Sequence, residues 1–451
     1  MNNLKIPLGT KINSRIGLIN NFINYLQKKN IEHCFLGDVE KSLLGQESDL
    51  DFYINISQNK LIIKLVQDFC EKNHLKVINL IQHEFNSFQF SICYENILKN
   101  IEIVYLDLAN EYVSKNRRII KFKPENISKL KYNDELDLKV LNAESALVFY
   151  LLKKILKLKI DDQDLNYILK LSKNINDLEK TDLKNYFNEK LLKEVIAALK
   201  NEDVVFFKQR INFLNSEIIK RLPIKLRDSF KIVKRYIYRF FNPTGIFMII
   251  LGCDGVGKTS LIKQLSKTSK MSPSLFFRQY KYFHFAPFFK YQSKTGKVVQ
   301  PTKEPPYNFI ISFIKIIYLY FVFLFGYYFT TKLLLLRTNG VIIDRYFYDI
   351  LVDPNRYRIK LSKKIIKFFS IIVPRPEITF IITANYKLIY ERKKEIKLDQ
   401  INEIQNKYVN LKKFIKNSYL IDNSEDLHVS EKNMKNIMIN YLNTKFEKIK
   451  I

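Results

Sequence analysis

The stretch Gly252-Cys253-Asp254-Gly255-Val256-Gly257-Lys258-Thr259 constrains this chain more than any other. It follows the apolar run from Ile246 to Leu251 and leads into Ser260-Leu261-Ile262-Lys263-Gln264-Leu265, which reads as the first turns of a helix. Strand, glycine-rich loop, Lys-Thr and helix in that order form the P-loop pattern. Glycines let backbone N–H groups curl around phosphate oxygens, and the helix N-terminus adds positive potential. The pattern predicts that Lys258 reaches the β- and γ-phosphates of ATP and that Thr259 holds Mg²⁺. Gly252, Asp254, Gly255, Val256, Gly257, Lys258, Thr259 and Ser260 are the candidate phosphate-binding residues. Glycine is otherwise scarce: only Gly9, Gly17, Gly37 and Gly45 precede Gly245. A cluster in such a chain marks backbone that must bend.

The 451 residues suffice for two to four domains, and the net charge of +30 suits anionic partners. The cations are spread along a Lys-, Ile- and Asn-rich chain, so compositional bias explains the charge equally well. Nucleic acid is therefore not the expected partner; peripheral membrane contact and a dimer stay open. Cys34, Cys70, Cys93 and Cys253 lack the spacing of a disulfide framework or a zinc site. Met1-Asn2-Asn3-Leu4-Lys5 begins no signal-peptide core, so a reducing cytoplasm is expected, with membrane-peripheral placement as the variant.

Ahead of the loop, residues 12–30 carry apolar residues on a helical period, and Cys34-Phe35-Leu36-Gly37 reads as a short strand. In Ser48-Asp49-Leu50-Asp51-Phe52-Tyr53-Ile54, Asp49 and Asp51 alternate and so share one strand face. Two such carboxylates repel unless a cation lies between them, and a divalent metal is the usual solution. Asp107 ends a later strand, Ile101 to Asp107, and is a third candidate ligand for that Mg²⁺. Gly37 followed by the Asp49/Asp51 pair resembles the polymerase-β-type nucleotidyltransferase superfamily. Position 38 is Asp where the superfamily has Ser or Gly, a poor residue beside a triphosphate. Residues 125–235 read as mostly helical. The basic, aromatic run Arg235 to Phe241 precedes the clearest junction, Asn242-Pro243-Thr244-Gly245.

After the loop, Tyr280–Phe285 reads as a strand, followed by a long basic segment from Lys290 to Pro306. Phe309 to Leu336 is apolar enough to raise the question of a membrane span. Its tyrosines and threonines, and its direct lead into the strand Val341-Ile342-Ile343-Asp344, predict a buried crossover helix instead. Asp344 at that strand end is placed to position Mg²⁺, and Arg345 to bind an acceptor phosphate. The following residues, to Arg358, mix carboxylates with arginines and are candidates for acceptor recognition.

From about 243 to 445 the chain resembles the thymidylate kinase family of P-loop phosphotransferases. The matching residues are the loop with Asp254-Gly255 inside it, Asp344-Arg345-Tyr346, and Arg392-Lys393 in the lid position, with Tyr408 and Asp422 in fitting places. The resemblance implies that Asp254, Arg345 and Tyr346 contact the acceptor. It also implies that Lys258, Asp344 and Arg392 are catalytic, with Lys393 second to Arg392. The family's acceptor motif after the first helix is not evident. The expected architecture is α/β: a nucleotidyltransferase-like α+β domain over 1–122, a helical domain over 123–241, and a doubly wound, parallel P-loop domain of the nucleoside monophosphate kinase kind over 242–451. This order resembles bacterial thymidylate-kinase-like proteins, some of them associated with surface-polysaccharide synthesis. The implied activity is ATP- and Mg²⁺-dependent phosphoryl transfer to a nucleoside monophosphate or a sugar-type metabolite. Two alternatives remain: a bifunctional enzyme with a live N-terminal nucleotidyltransferase, and a non-catalytic, nucleotide-gated binding protein.

Overall fold

A computed structural model describes residues 12, 14–39, 49–96, 100–132, 136–267, 277–286, 305–392 and 398–449. Most of the basic 290–306 segment, and Lys393, lie outside them. The chain divides into two compact units: residues 1–237 with 443–451, and residues 238–442.

The first unit is built on a seven-stranded mixed sheet. Its strands are β1 (His33–Phe35), β2 (Asp49–Ile54), β3 (Lys76–Glu84), β4 (Ser87–Glu95) and β5 (Ile101–Ala109). A separate hairpin of β6 (Tyr112–Ser114) and β7 (Arg117–Ile120) follows, and β8 (Ile127–Tyr132) and β9 (Leu136–Leu141) complete the sheet. Its order is β3-β4-β5-β2-β1-β9-β8, with β2/β5 and β1/β9 parallel. Strand side chains alternate between faces. Phe35, Phe52 and Ile54 accordingly pack with the helices Arg15–Lys28 and Asn59–Lys72. Cys34, Leu36 and Tyr53 face a second core formed with helices Ala143–Lys157, Asp162–Lys173, Glu189–Lys200 and Val204–Arg221. The segment expected to be helical from 123 thus begins with the paired strands β8 and β9. Their alternation, Leu136, Leu138, Val140, is the strand period.

The second unit has a five-stranded sheet, parallel throughout: β10 (Ile246–Leu251), β11 (Tyr280–His284), β12 (Gly340–Asp344), β13 (Ile378–Thr383) and β14 (Ser418–Asp422), in the order β11-β12-β10-β13-β14. Every residue of β10 is apolar and buried, as a central parallel strand covered on both faces requires. The crossovers from β10 place β11 and β12 on one side of it and β13 and β14 on the other, which opens a crevice at the carboxyl ends of the strands.

The crossover to β12 corrects one expectation. Phe309 to Leu336 is continuously helical, with a wider π turn at Tyr327–Thr331, but only 33% of its apolar window is buried. Ile316, Leu319 and Phe323 face inward, whereas Ile310, Ile314 and Tyr318 are exposed. A helix that is apolar all round gives no sequence signal for which side meets the core.

Candidate active site

The loop after β10 needs its glycines. Gly255 and Gly257 have φ of +86° and +95°, conformations that L side chains rarely adopt. A Cβ on Gly257 would also lie 2.3 Å from Asn423 Nδ2. That amide donates to Val256 O at 2.9 Å, so the chain just past β14 braces the loop. The helix Lys258–Lys267 starts where the loop ends, and its first residues, Lys258 to Ser260, line the cleft, where a helix N-terminus favours an anion.

Lys258 is buried and donates from Nζ to the carbonyls of Gly252 and Cys253, at 2.8 and 2.9 Å. Burial, then the Arg345 guanidinium, hold its ammonium below the usual lysine range. Asp344 ends β12 directly beside Ile250 of β10. Its Oδ2 accepts from the Tyr282 hydroxyl at 3.2 Å and lies 3.8 Å from His284 Nδ1. Its Oδ1 is buried with no hydrogen-bond partner. Burial pushes the Asp344 carboxyl up, but His284, Lys258 and Arg345 outweigh it and keep the group below the usual carboxylate range.

Arg345 has φ +70° and donates its backbone N–H to Ile250 O at 3.1 Å. A bulky residue in the left-handed region costs of order 1–3 kcal/mol and persists where surrounding contacts over-determine it. Here those contacts are ionic. The buried guanidinium pairs with Asp254 and lies 3.5 Å from Asp349. Asp349 is fixed in turn by Tyr346 N at 2.8 Å and the Tyr408 hydroxyl at 2.5 Å. Burial would lower the Arg345 pKa, but Asp349 and Asp254 raise it above the usual range. The other oxygen of Asp254 accepts from Arg356 Nη1 at 2.9 Å, so one carboxylate bridges two arginines.

These groups share a cleft of ≈ 680 Å³, also lined by Gly255, Gly257, Thr259, Ser260, His284, Arg392 and Asn423. Arg392 Nη1 lies 3.7 Å from where a Cβ on Gly257 would be, so this side chain reaches the loop. Val256 is buried and offers the cleft no side chain. Tyr346 is a correction to the acceptor set: its ring is buried against Phe323 and Phe247, and its hydroxyl donates to Pro374 O. Asp422 does not line the cleft either; it accepts from Ser424. His284 and Asn423 also line the cleft without belonging to any sequence motif. Only the position of His284 at a strand end beside Asp344 could have drawn attention to it.

In the first unit, parallel register sets Asp51 beside Asp107 and Asp49 beside Tyr105. A lysine supplies the cation at Asp51: Lys153 Nζ lies 2.5 Å from Asp51 Oδ2. Burial raises the Asp51 carboxyl, but Lys153 outweighs it and holds the group low. Burial, then Asp51 and Asp49, drive Asp107 well above the usual range. Among the described residues no group of three or more His, Cys, Asp or Glu is placed to hold a metal ion. The expected Mg²⁺ site at Asp49, Asp51 and Asp107 is thus replaced by an ammonium–carboxylate pair. All four cysteines are free and buried, with the Cys34 and Cys93 thiols pushed up to about 12 by burial.

No family model and no curated protein matches the chain. Solved structures do. A thymidylate kinase from Ehrlichia chaffeensis is similar at 14% identity, over 43% of this chain and 98% of that one, with a TM-score of 0.29. A thymidylate kinase from Candida albicans is similar at 14% identity, over 44% and 93%, with a TM-score of 0.31. A deoxyadenosine kinase from M. mycoides with bound dATP is similar at 16% identity, over 42% and 98%, with a TM-score of 0.30. At such identities and scores the chemistry has to be read from the cleft itself.

Proposed function

We propose that the second unit is an ATP-dependent phosphotransferase acting on a small anionic acceptor, either a nucleoside monophosphate or a sugar-type phosphate. The observation that carries this reading is the shared cleft: a phosphate-cradling loop opens onto the same space as a carboxylate clamped by Arg345 and Arg356. Two convergent guanidiniums suit an acceptor phosphate, which would take the place that Asp254 holds between them. Asp254 would then be released toward the acceptor. Lys258 exchanges the Gly252 and Cys253 carbonyls for donor phosphate oxygens. Arg392 approaches the loop from the side where charge develops on the moving phosphoryl group.

Thr259 and Asp344 are the residues that would hold Mg²⁺, whose charge would neutralise phosphate oxygens. The unpartnered buried Oδ1 of Asp344 and an all-oxygen donor set fit such a hard cation. The tight pairing of Asp51 with Lys153 favours keeping nucleotidyl transfer out of the proposal for the first unit. Pyrophosphate release that disappears in Asp49→Ala or Asp51→Ala would reinstate it.

The test is incubation with labelled ATP, Mg²⁺ and a panel of nucleoside monophosphates and sugar phosphates. Label should pass to one acceptor class. Lys258→Ala should abolish that transfer while leaving the fold intact by circular dichroism, and full activity in this variant refutes the proposal.

A further inference from the structure

The helix Leu226–Phe241 runs from the first unit into the second after Ile237 and carries an exposed apolar face. Leu226, Phe230, Val233, Ile237 and Phe241 are 85%, 78%, 55%, 55% and 71% exposed. Their spacing of four, three, four and four residues places them on one stripe. The exposed Arg227, Lys231 and Lys234 flank it. The only acid on this helix, Asp228, points inward, where Arg118 Nε and Nη2 each donate to it at 2.8 Å. Arg235 is also turned in, pairing with Glu84 at 3.1 Å and donating to Asn116 at 3.1 Å. These two inward ionic anchors fix the rotation of the helix, so the apolar stripe faces out by construction.

We propose that this helix is an interfacial anchor that lies in the headgroup layer of an anionic bilayer. Sixteen residues with flanking cations are too short and too charged to span a membrane, but they have the composition of a helix lying in its plane. Charge selects the occupant. A second copy of the helix would bring arginines and lysines together with no exposed acid on this face to pair them. A duplex nucleic acid would meet the cations, but its bases are already stacked and paired and its flanks are charged, so a continuous stripe of Leu, Phe, Val and Ile would stay largely uncovered. Acyl chains below anionic headgroups satisfy both halves of the surface.

The test is flotation of the full chain with phosphatidylcholine vesicles made with and without phosphatidylglycerol. Binding should require phosphatidylglycerol and weaken as salt is raised. The Phe230→Ser/Ile237→Ser variant should lose about tenfold in partitioning for each apolar side chain removed. Arg227→Gln/Lys234→Gln should lose about fivefold for each cation, on anionic vesicles only. Fluorescent ATP-analogue binding and thermal unfolding should be unchanged in both variants. Three results would overturn the proposal: no binding of the unsubstituted protein to anionic vesicles, preference for duplex DNA over those vesicles, or dissociation of a dimer by the Phe230/Ile237 substitutions in sedimentation. The result does not depend on whether the cleft transfers phosphate, so either reading can fail alone.

Discussion

Replacing Gly257 by alanine tests whether the loop conformation underlies the proposed nucleotide binding. The backbone sits at φ +95°, where an L side chain costs about 1–2 kcal/mol. The added Cβ would also meet Asn423 Nδ2 at 2.3 Å. Relief requires Asn423 to move and give up its bond to Val256 O, a loss of about 1 kcal/mol. Together these make about 2–3 kcal/mol, or roughly 30- to 150-fold weaker ATP binding. Titration with a fluorescent ATP analogue measures the loss, and a thermal melt checks that the fold persists. The Gly257→Ala/Asn423→Ala variant removes the collision but keeps the backbone strain. It should bind no worse than Gly257→Ala alone, whereas Asn423→Ala in the native background should cost about fivefold. Binding within threefold of the native protein in Gly257→Ala, or strictly additive losses in the double variant, would refute the reasoning.

Two further predictions concern the first unit. Lys153→Met leaves Asp51 without its cation beside Asp107. The pair keeps some solvent contact, with side chains 16% and 23% exposed, so the loss is discounted from that of a sealed pair to about 2 kcal/mol, read as a lower urea midpoint. Asp107 titrates the other way. Its folded pKa is raised, so the folded state holds the proton more tightly, and the carboxyl's contribution falls as pH rises from its unfolded value through its folded one. Asp107→Asn should therefore flatten the decline in melting temperature over that window and be the more stable protein at its alkaline end. A variant that declines in parallel with the native protein contradicts this assignment.

The glycine-rich turn between β10 and its helix was legible because its requirements are local: three glycines, a lysine and a preceding apolar run are neighbours in sequence. Asp344 and Arg345 were legible for the same reason, as the end of an apolar strand. Tyr346 was misplaced because a motif fixes which residues are adjacent, not which way each side chain turns. The left-handed backbone at Arg345 holds that side chain in the cleft while Tyr346 enters the core. Lys153 was beyond reach of any local pattern, since 102 residues separate it from Asp51. Asn423 likewise meets Val256 across 167 residues. The strands β8 and β9 carried a readable alternation, outweighed by the many helical periods after them. The exposed face of the 309–336 helix carried none, because its apolar residues run all the way round.

The segmented makeup of the first unit bears on the order in which it can mature. Asn443 Oδ1 accepts from Val77 N on β3 at 2.9 Å, and the Phe446 ring packs edge-on against Phe90 at 6.1 Å. Strand β3 is at the sheet's margin, so Asn443 occupies a backbone donor that would otherwise be open to a neighbouring strand. On a ribosome that sheet stays unfinished while the entire second unit is made, and β3 emerges with its rim unsealed. A nascent chain halted before residue 443 would present a sticky β-edge and a Phe446-sized hole, a natural ligand for chaperones. Release from them would be timed by the last residues of this segment to appear.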